Sequence, residues 1–411
     1  MPEFLELLPP SQALERLLEY LGPLKEHEQI AAQDALGRVT AEPILARHPL
    51  PAFPRTTVDG YAVRAADTYG ANESLPAYLN WKGEVPMGSQ PVFAIGRGEC
   101  ATIHTGGMLP EGADAAVMVE HTQSAREGEI EILRSVAVGE NIIKVGEDVA
   151  RGDAVITAGV RLRPAEIGGL MALGITELNV ARQPVVGIIS SGDEVIPPDQ
   201  EPSIGQVRDV NAYTLSALVE QAGGLARGYG IVPDRAEALY EAASRALQAT
   251  DMVVITAGSS ASVRDLTADV INRLGQPGVL VHGVNVRPGK PTILGVCQGK
   301  PVIGLPGNPV SALVIAALFV TPVVEILQGL NRKRFRPAVT ASLALNLASQ
   351  AGREDWVPVR LVENEDGGYL ADPIFGKSNL IFTLVRADGL IRIPADANGL
   401  SAGTVLDVYL I

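Results

Sequence analysis

Between residues 183 and 330 short apolar runs alternate with amphipathic stretches, and this alternation restricts the fold more than any other feature of the chain. Val185–Ser190 reads as a buried strand. Asn211 is placed to cap a helix ending at Gly223-Gly224. Asp234 and Glu237 have the spacing of a capping box for a helix reaching about Leu247. Met252–Thr256 is the next strand. Such repetition predicts a parallel sheet with helices on both faces. Ligands of these sheets bind beyond the carboxyl ends of the strands. Three turns fall there: Ser190–Glu194, Ala257–Ser262 and Leu305–Asn308. The most apolar run, Val310–Leu327, is interrupted by Pro322 and Glu325 and reads as a buried helix rather than a membrane span.

The flanks have a different texture. Residues 11–36 are expected to be helical, with Leu14, Leu17, Leu18 and Leu21 on one face behind Pro9-Pro10. From about 45 to 140 short β-like runs dominate: Val92–Ile95, Cys100–His104, Ala115–Glu120 and Glu129–Leu133. A helix returns at Pro164–Leu173, closed by Gly174, so the β-rich segment is expected to be inserted into another domain. After residue 336 the runs Thr340–Leu345, Trp356–Val362, Leu390–Pro394 and Val405–Leu410 predict a small barrel or sandwich. With 411 residues the chain exceeds one ordinary core. The expected domains are 1–44 with 141–182 (helical/linker), 45–140 (inserted β-rich lobe), 183–331 (α/β) and 332–411 (β).

A net charge of −14 argues against a general nucleic-acid or anionic-membrane binder, because phosphate backbones require basic surface. Cys100 and Cys297 are the only cysteines, which fits a reducing cytosol, and the five histidines show no ligand spacing. The N-terminus lacks the basic start of a signal peptide.

Against that acidic background, two turns concentrate the opposite chemistry. Arg287-Pro288-Gly289-Lys290-Pro291 sets two cations on one rigid corner. Gly304-Leu305-Pro306-Gly307-Asn308-Pro309-Val310-Ser311 follows and feeds the long apolar helix. A turn that ends at a helix N-terminus presents free N–H groups, and the cations add full charge, so an oxyanion is the expected ligand. The spacing of a Walker A loop is absent, which removes an ATPase reading. The turn Gly258-Ser259-Ser260-Ala261-Ser262 can present N–H groups and hydroxyls to an anion, although simple helix capping is the better reading of the turn taken alone. Asp59, Glu147-Asp148, Asp193-Glu194 and Asp209 are carboxylates beside turns, as Mg²⁺ requires when it shares substrate oxygens. No Gly-x-Ser-x-Gly elbow or triad order occurs, so acyl-enzyme hydrolysis is disfavoured.

Taken together these segments resemble the molybdopterin molybdenumtransferase family, which includes MoeA and the C-terminal domain of gephyrin. The resemblance rests on Phe53–Ala62 around Asp59, on Thr105–Asp114 with Val117–Glu120, and on Gly139–Ile142 with Gly146-Glu147-Asp148. It continues through Ser191-Gly192-Asp193-Glu194, Gly205-Gln206 with Asp209 and Asn211, the PGKP corner and GLPGNPVS. It implies a multidomain α/β and β protein: a doubly wound α/β domain, an inserted β-rich lobe, a helical/linker domain and a C-terminal β barrel. It also implies an elongated, L-shaped subunit that forms a homodimer in the cytoplasm.

The implied reaction converts adenylylated molybdopterin and molybdate to molybdenum cofactor and AMP, with Mg²⁺ or another divalent cation and an upstream adenylyltransferase as partner. The resemblance assigns catalysis to Asp59, Asp193, Asp265 and Lys290, and metal ligation to Asp59, Asp148 and Asp193. Substrate contacts fall to Thr57, Glu194, Asp209, Asn211, Ser259, Ser260, Ser262, Arg287, Pro288, Gly289, Pro306, Gly307, Asn308 and Ser311. Arg353, Arg360 and Ser378 would close the pocket from the last domain. One departure stands out. In Thr256–Asp265 a serine replaces the family's second glycine and Arg264 stands where an acid is common. This variant turn leaves the oxyanion as molybdate or tungstate, which are near-isosteric. A non-catalytic molybdopterin- or peptide-binding scaffold and a molybdopterin adenylyltransferase are the alternatives.

Overall fold

The computed structural model describes residues 7–257, 261–331, 338–364 and 367–411, the side chains of 261–265 excepted. Its centre is a six-stranded sheet in the order Leu225–Val232, Val185–Ser191, Met252–Ala257, Lys300–Pro306, Ile293–Cys297, Pro277–His282. The first four strands are parallel, as the strand–helix alternation requires. Ile293–Cys297 departs from the all-parallel expectation and runs antiparallel to both of its neighbours, which leaves Pro277–His282 pointing the same way as the first four. The reason is local. Only Gln298 and Gly299 separate Ile293–Cys297 from Lys300–Pro306, both with positive φ (55° and 78°), and a two-residue turn of that kind closes a hairpin.

Among the described residues the α-helices are α1 (Pro10–Leu18), α2 (Pro164–Ala172), α3 (Asn211–Gln221), α4 (Ala236–Ala249), α5 (Ala261–Leu274), α6 (Pro309–Leu327) and a single turn at Phe382–Val385. On one face of the sheet α3 and α6 pack with α1 into a core containing Leu17, Leu215, Ile315 and Phe319. On the other, α4 and α5 enclose Leu239, Ala243, Ile271 and Val253. Among the described residues α6 is the one helix long and apolar enough to cross a membrane. Its Ile315, Phe319 and Val323 are instead fully buried against the sheet and α3, as the interrupted apolar run predicted.

Three local expectations are corrected. Helix α1 ends at Leu18 instead of continuing to residue 36, because Gly22-Pro23 interrupts it; His27–Ala31 is a strand paired antiparallel with Glu177–Ala181. Val92–Ile95 forms no strand, and Val92 is almost wholly exposed. The Asp234/Glu237 capping box does not form: Asp234 accepts the Ser191 hydroxyl and Glu237 pairs with Arg273, leaving Arg235 at the helix start.

The β-rich segment forms a six-stranded sheet in the order Ala115–Met118, Gly60–Val63, Glu99–Ile103, Ala77–Glu84, Glu129–Ile132, Thr122–Arg126. Its flanks meet each other: Ile44–Leu45 pairs with Ala154–Ile156, and Ala32, Leu162, Leu170 and Val180 share one core. At the C-terminus Glu354–Glu363, Tyr369–Pro373, Ala338–Leu343, Val405–Leu410 and Gly389–Ile393 close into a five-stranded barrel through pairing of the first with the last. The short strand Val286–Arg287 joins the barrel edge in parallel with Glu354-Asp355.

Phe319 is fully buried at the centre of α6. Phe319→Ala is expected to lower unfolding free energy by about 3–5 kcal/mol in a urea titration.

Candidate functional site

The Arg287–Pro291 corner has no freedom to move independently of α6. Gly289 adopts φ +109°, and a Cβ there would lie 2.2 Å from Cγ1 of Ile315 on α6. Only glycine fits both the backbone angle and the contact. The Thr292 hydroxyl donates to the Gly289 carbonyl (2.6 Å), and the Val284 N–H donates to the Lys290 carbonyl (2.9 Å). The corner is thus clamped from below by a core helix and from the side by its own hairpin.

The second turn ends the strand Lys300–Pro306 and starts α6. Asn308 is the residue before the helix, but its side chain does not cap it. Its Nδ2 donates to Oγ of Ser378 (3.1 Å), while the Val310 N–H donates to the Ser378 carbonyl (3.0 Å). Ser378 belongs to the loop after the barrel strand Tyr369–Pro373, so the barrel is latched to the N-terminus of α6. Asn211 reaches the same turn from α3, donating Nδ2 to the Gly307 carbonyl (2.7 Å). The helix cap expected of Asn211 is made by Asp209, whose Oδ1 accepts the Ala212 N–H (3.1 Å). Both residues are buried, and Oδ1 of Asn211 has no hydrogen-bond partner among the described residues.

On the barrel rim, buried Asp355 gathers cations. It accepts from Nε of Arg353 (2.8 Å) and the Ser349 hydroxyl (2.9 Å), and lies 3.7 Å from a guanidinium nitrogen of Arg287. Between corner, helix N-terminus and rim opens a cleft of about 1130 Å³. Among the described residues its wall carries Arg287, Lys290, Arg353 and Lys377 against the single carboxylate Asp355. Arg287 and Lys290 are exposed, and Lys290 has no carboxylate in ion-pair range among the described residues. Four cations facing one acid beside a helix N-terminus make an anion pocket on a chain of net charge −14.

Of the residues expected at the site, the cleft wall brings together Arg287, Pro288, Gly289, Lys290, Pro306, Asn308, Ser311, Arg353 and Ser378. Gly307 and Asn211 adjoin it through the Gly307 carbonyl, and Asp209 stands behind them at the start of α3. Arg360 does not line it; this arginine stands on the barrel wall, 3.3 Å from Asp372. Asp193 and Glu194 are exposed at the carboxyl end of the sheet, beside buried Ser190 and Ser191. There the strand order reverses, since Val185–Ser191 is followed by a strand on one side and then by Met252–Ala257 on the other. Ala257 lies in register with Pro306, so the two strand ends are neighbours. Ser259 and Ser260, with the side chains of Ser262 and Asp265, lie outside the described residues.

Asp59, Thr57 and Asp148 are exposed on the β-rich segment and its return, and none of them lines the cleft. Oδ1 of Asp59 accepts the Thr105 N–H (2.9 Å) and its carbonyl accepts the Val119 N–H (3.0 Å). No group of three or more His, Cys, Asp or Glu side chains able to hold a metal ion occurs among the described residues, so Asp59, Asp148 and Asp193 form no cage within one chain. Sequence reasoning passed over Asp355 and Lys377. Both had a signal: Asp355 lies two residues after Arg353, at the start of the strand Glu354–Glu363, and Lys377 directly precedes Ser378.

Three family matches tile the chain: MoeA N-terminal region (domain I and II) over residues 8–174, probable molybdopterin binding domain over 187–326, and MoeA C-terminal region (domain IV) over 340–411. A molybdopterin molybdenumtransferase of Haemophilus influenzae is 32% identical over 97% of each chain. That of Bacillus subtilis is 31% identical over 98% of this chain and 94% of its own. The crystal structure of a molybdopterin biosynthesis moeA protein from Pyrococcus horikoshii OT3 superposes with a TM-score of 0.86 at 32% identity, covering 99% of this chain and 100% of that one.

Asp355→Ala strips Arg353 of its partner and is expected to cost about 1.5–3 kcal/mol of stability, read from urea unfolding. The thiols are inert in the folded protein: burial pushes Cys100 up to about 12 and Cys297 up to about 11. A thiol-reactive disulfide reagent at pH 8 should therefore label neither cysteine in the native state and both after denaturation.

Proposed function

Because this chain belongs to the MoeA family and is a transferase of molybdenum cofactor biosynthesis, we propose that it inserts molybdate or tungstate into adenylylated molybdopterin with release of AMP. One observation carries the oxyanion half of this reading: four cations and the α6 N-terminus converge on one cleft of an otherwise acidic molecule. A dianionic tetrahedral oxyanion gains from charge and from N–H donors at the same point. Lys290 is the side chain best placed to meet it, since no carboxylate among the described residues competes for its ammonium. Arg353 is hydrogen-bonded to Asp355, so its direction is set before any ligand arrives, and Arg287 approaches the same carboxylate at 3.7 Å.

The phosphates of the nucleotide are assigned to the carboxyl end of the central sheet, where Ser191 and Asp193 stand at the reversal of strand order. The neighbouring ends at Ala257 and Pro306 make this crest continuous with the cationic cleft. A divalent cation, Mg²⁺ in the first instance, enters the proposal as a companion of the substrate's pyrophosphate, because among the described residues the carboxylates of one chain build no cage for it. An upstream adenylyltransferase supplying the substrate and a homodimeric assembly complete the reading, and both follow from the family resemblance.

Purified protein given adenylylated molybdopterin and Mg²⁺ should release AMP when molybdate or tungstate is added and not otherwise. Release that is indifferent to the oxyanion, or consumption of ATP instead, would sink the reading. Lys290→Ala should lower the oxyanion-dependent rate by orders of magnitude while leaving the circular dichroism spectrum unchanged.

A further inference from the structure

The cleft wall contains two aromatic side chains, Trp356 and Phe375, and they stand in opposite states. Trp356 is committed to the fold. It is 7% exposed, donates its indole N–H to Glu354 (2.7 Å) and packs on Tyr409 with ring centroids 5.4 Å apart. Phe375 is 70% exposed although it lines a concave site. A large apolar ring left in water inside a cleft gains little for the fold and is available to a ligand.

Its loop is built to hold it there. Residues 374–379 follow the barrel strand Tyr369–Pro373 and line the cleft along their whole length. Gly376 sits so close to Thr383 that a Cβ would fall 2.5 Å from its hydroxyl oxygen. Ser378 is latched to Asn308 and Val310 at the start of α6. Between these two anchored points stands Lys377, a cation of the same wall. The loop therefore offers an exposed ring, then a positive charge, on a backbone held before the ring by the Ile374 N–H donating to the Pro358 carbonyl (2.8 Å) and after the lysine by the Ser378 latch.

We propose that Phe375 is a stacking platform for the planar fused heterocycle of the substrate, and that Lys377 beside it pairs with an anionic group carried by the same molecule. The inference deepens the transferase reading above and rests on its assignment of the cleft as an anion pocket. Any flat fused ring presents a π-face to an aromatic side chain, so purine and pterin share the chemistry. The charge and the ring together select an anionic heterocycle over a bare oxyanion.

The experiment uses the full-length protein and calorimetric titration with three probes: AMP, pterin-6-carboxylate and ribose 5-phosphate, which has the charge without the ring. The wild type should bind AMP or pterin-6-carboxylate at least tenfold more tightly than ribose 5-phosphate, the preferred ring naming the source. Phe375→Ala should abolish that preference and leave ribose 5-phosphate unaffected, whereas Phe375→Tyr should retain it. Lys377→Ala should weaken all three probes in parallel. A preference that survives Phe375→Ala, or a wild type that does not distinguish ring-bearing from ringless probes, overturns the proposal. Because Phe375 is largely exposed, its truncation leaves the core intact, which the thermal midpoint checks. Loss of oxyanion-dependent AMP release in the wild type, with ring preference retained, would remove the transferase reading and leave the platform standing.

Discussion

Helix α6 is the element to which every wall of the cleft is referred. Its buried face, through Ile315, Phe319 and Val323, is packed between the central sheet and α3, so the helix cannot shift without opening the larger core. Gly289 rests directly on Ile315, which fixes the height of the Arg287–Lys290 corner above the helix. Ser378 and Asn308 fix the barrel to its N-terminal end, and Asn211 fixes α3 there. The anion pocket is thus assembled from three chain segments by contacts to one rigid rod. A static pocket of this kind stabilises charge without reorganising when ligand arrives.

The second organising fact is the contrast between the whole surface and the site. A molecule of net charge −14 repels polyanions at long range, while its cleft gathers four cations around one buried acid. Screening limits the long-range repulsion to roughly 8 Å at physiological ionic strength, so a small dianion that reaches the cleft meets mainly the local field. Asp355 has a double part in this. It lowers the net charge of the pocket, yet without it the guanidinium of Arg353 would have neither a fixed direction nor a hydrogen-bond partner. Orientation of the cations matters more than one unit of charge, because an anion is held by aimed donors.

Much of this was legible in the residues. The apolar helix, the two Gly/Pro turns and the strands bounding them follow from periodicity and turn chemistry, which act over a few residues. The corner's glycine, the helix after Pro309 and the barrel strands near the C-terminus are of this local kind. The errors had a common source. Asn211 and Asp234 both have capping side chains, but the structure recruits Asn211 to Gly307 and Asp234 to Ser191, partners distant in sequence. Nor does a single sequence reveal that Arg360 faces away from the pocket while Lys377 faces into it.

What the sequence by itself determined, then, is the set of parts: a core helix, two turns with cations and free N–H groups, and a parallel sheet with a crest. What only the tertiary structure decided is their meeting. Arg287 and Asp355 stand 68 positions apart, and the pairing of Val286–Arg287 with the barrel edge is what joins them. Phe375 could be read as core from composition alone; the fold leaves it in the cleft because Gly376 and Ser378 are tied to other elements. Local propensity fixes backbone shape within a turn or two, whereas a pocket is a relation between distant segments, set by which buried surfaces pack together.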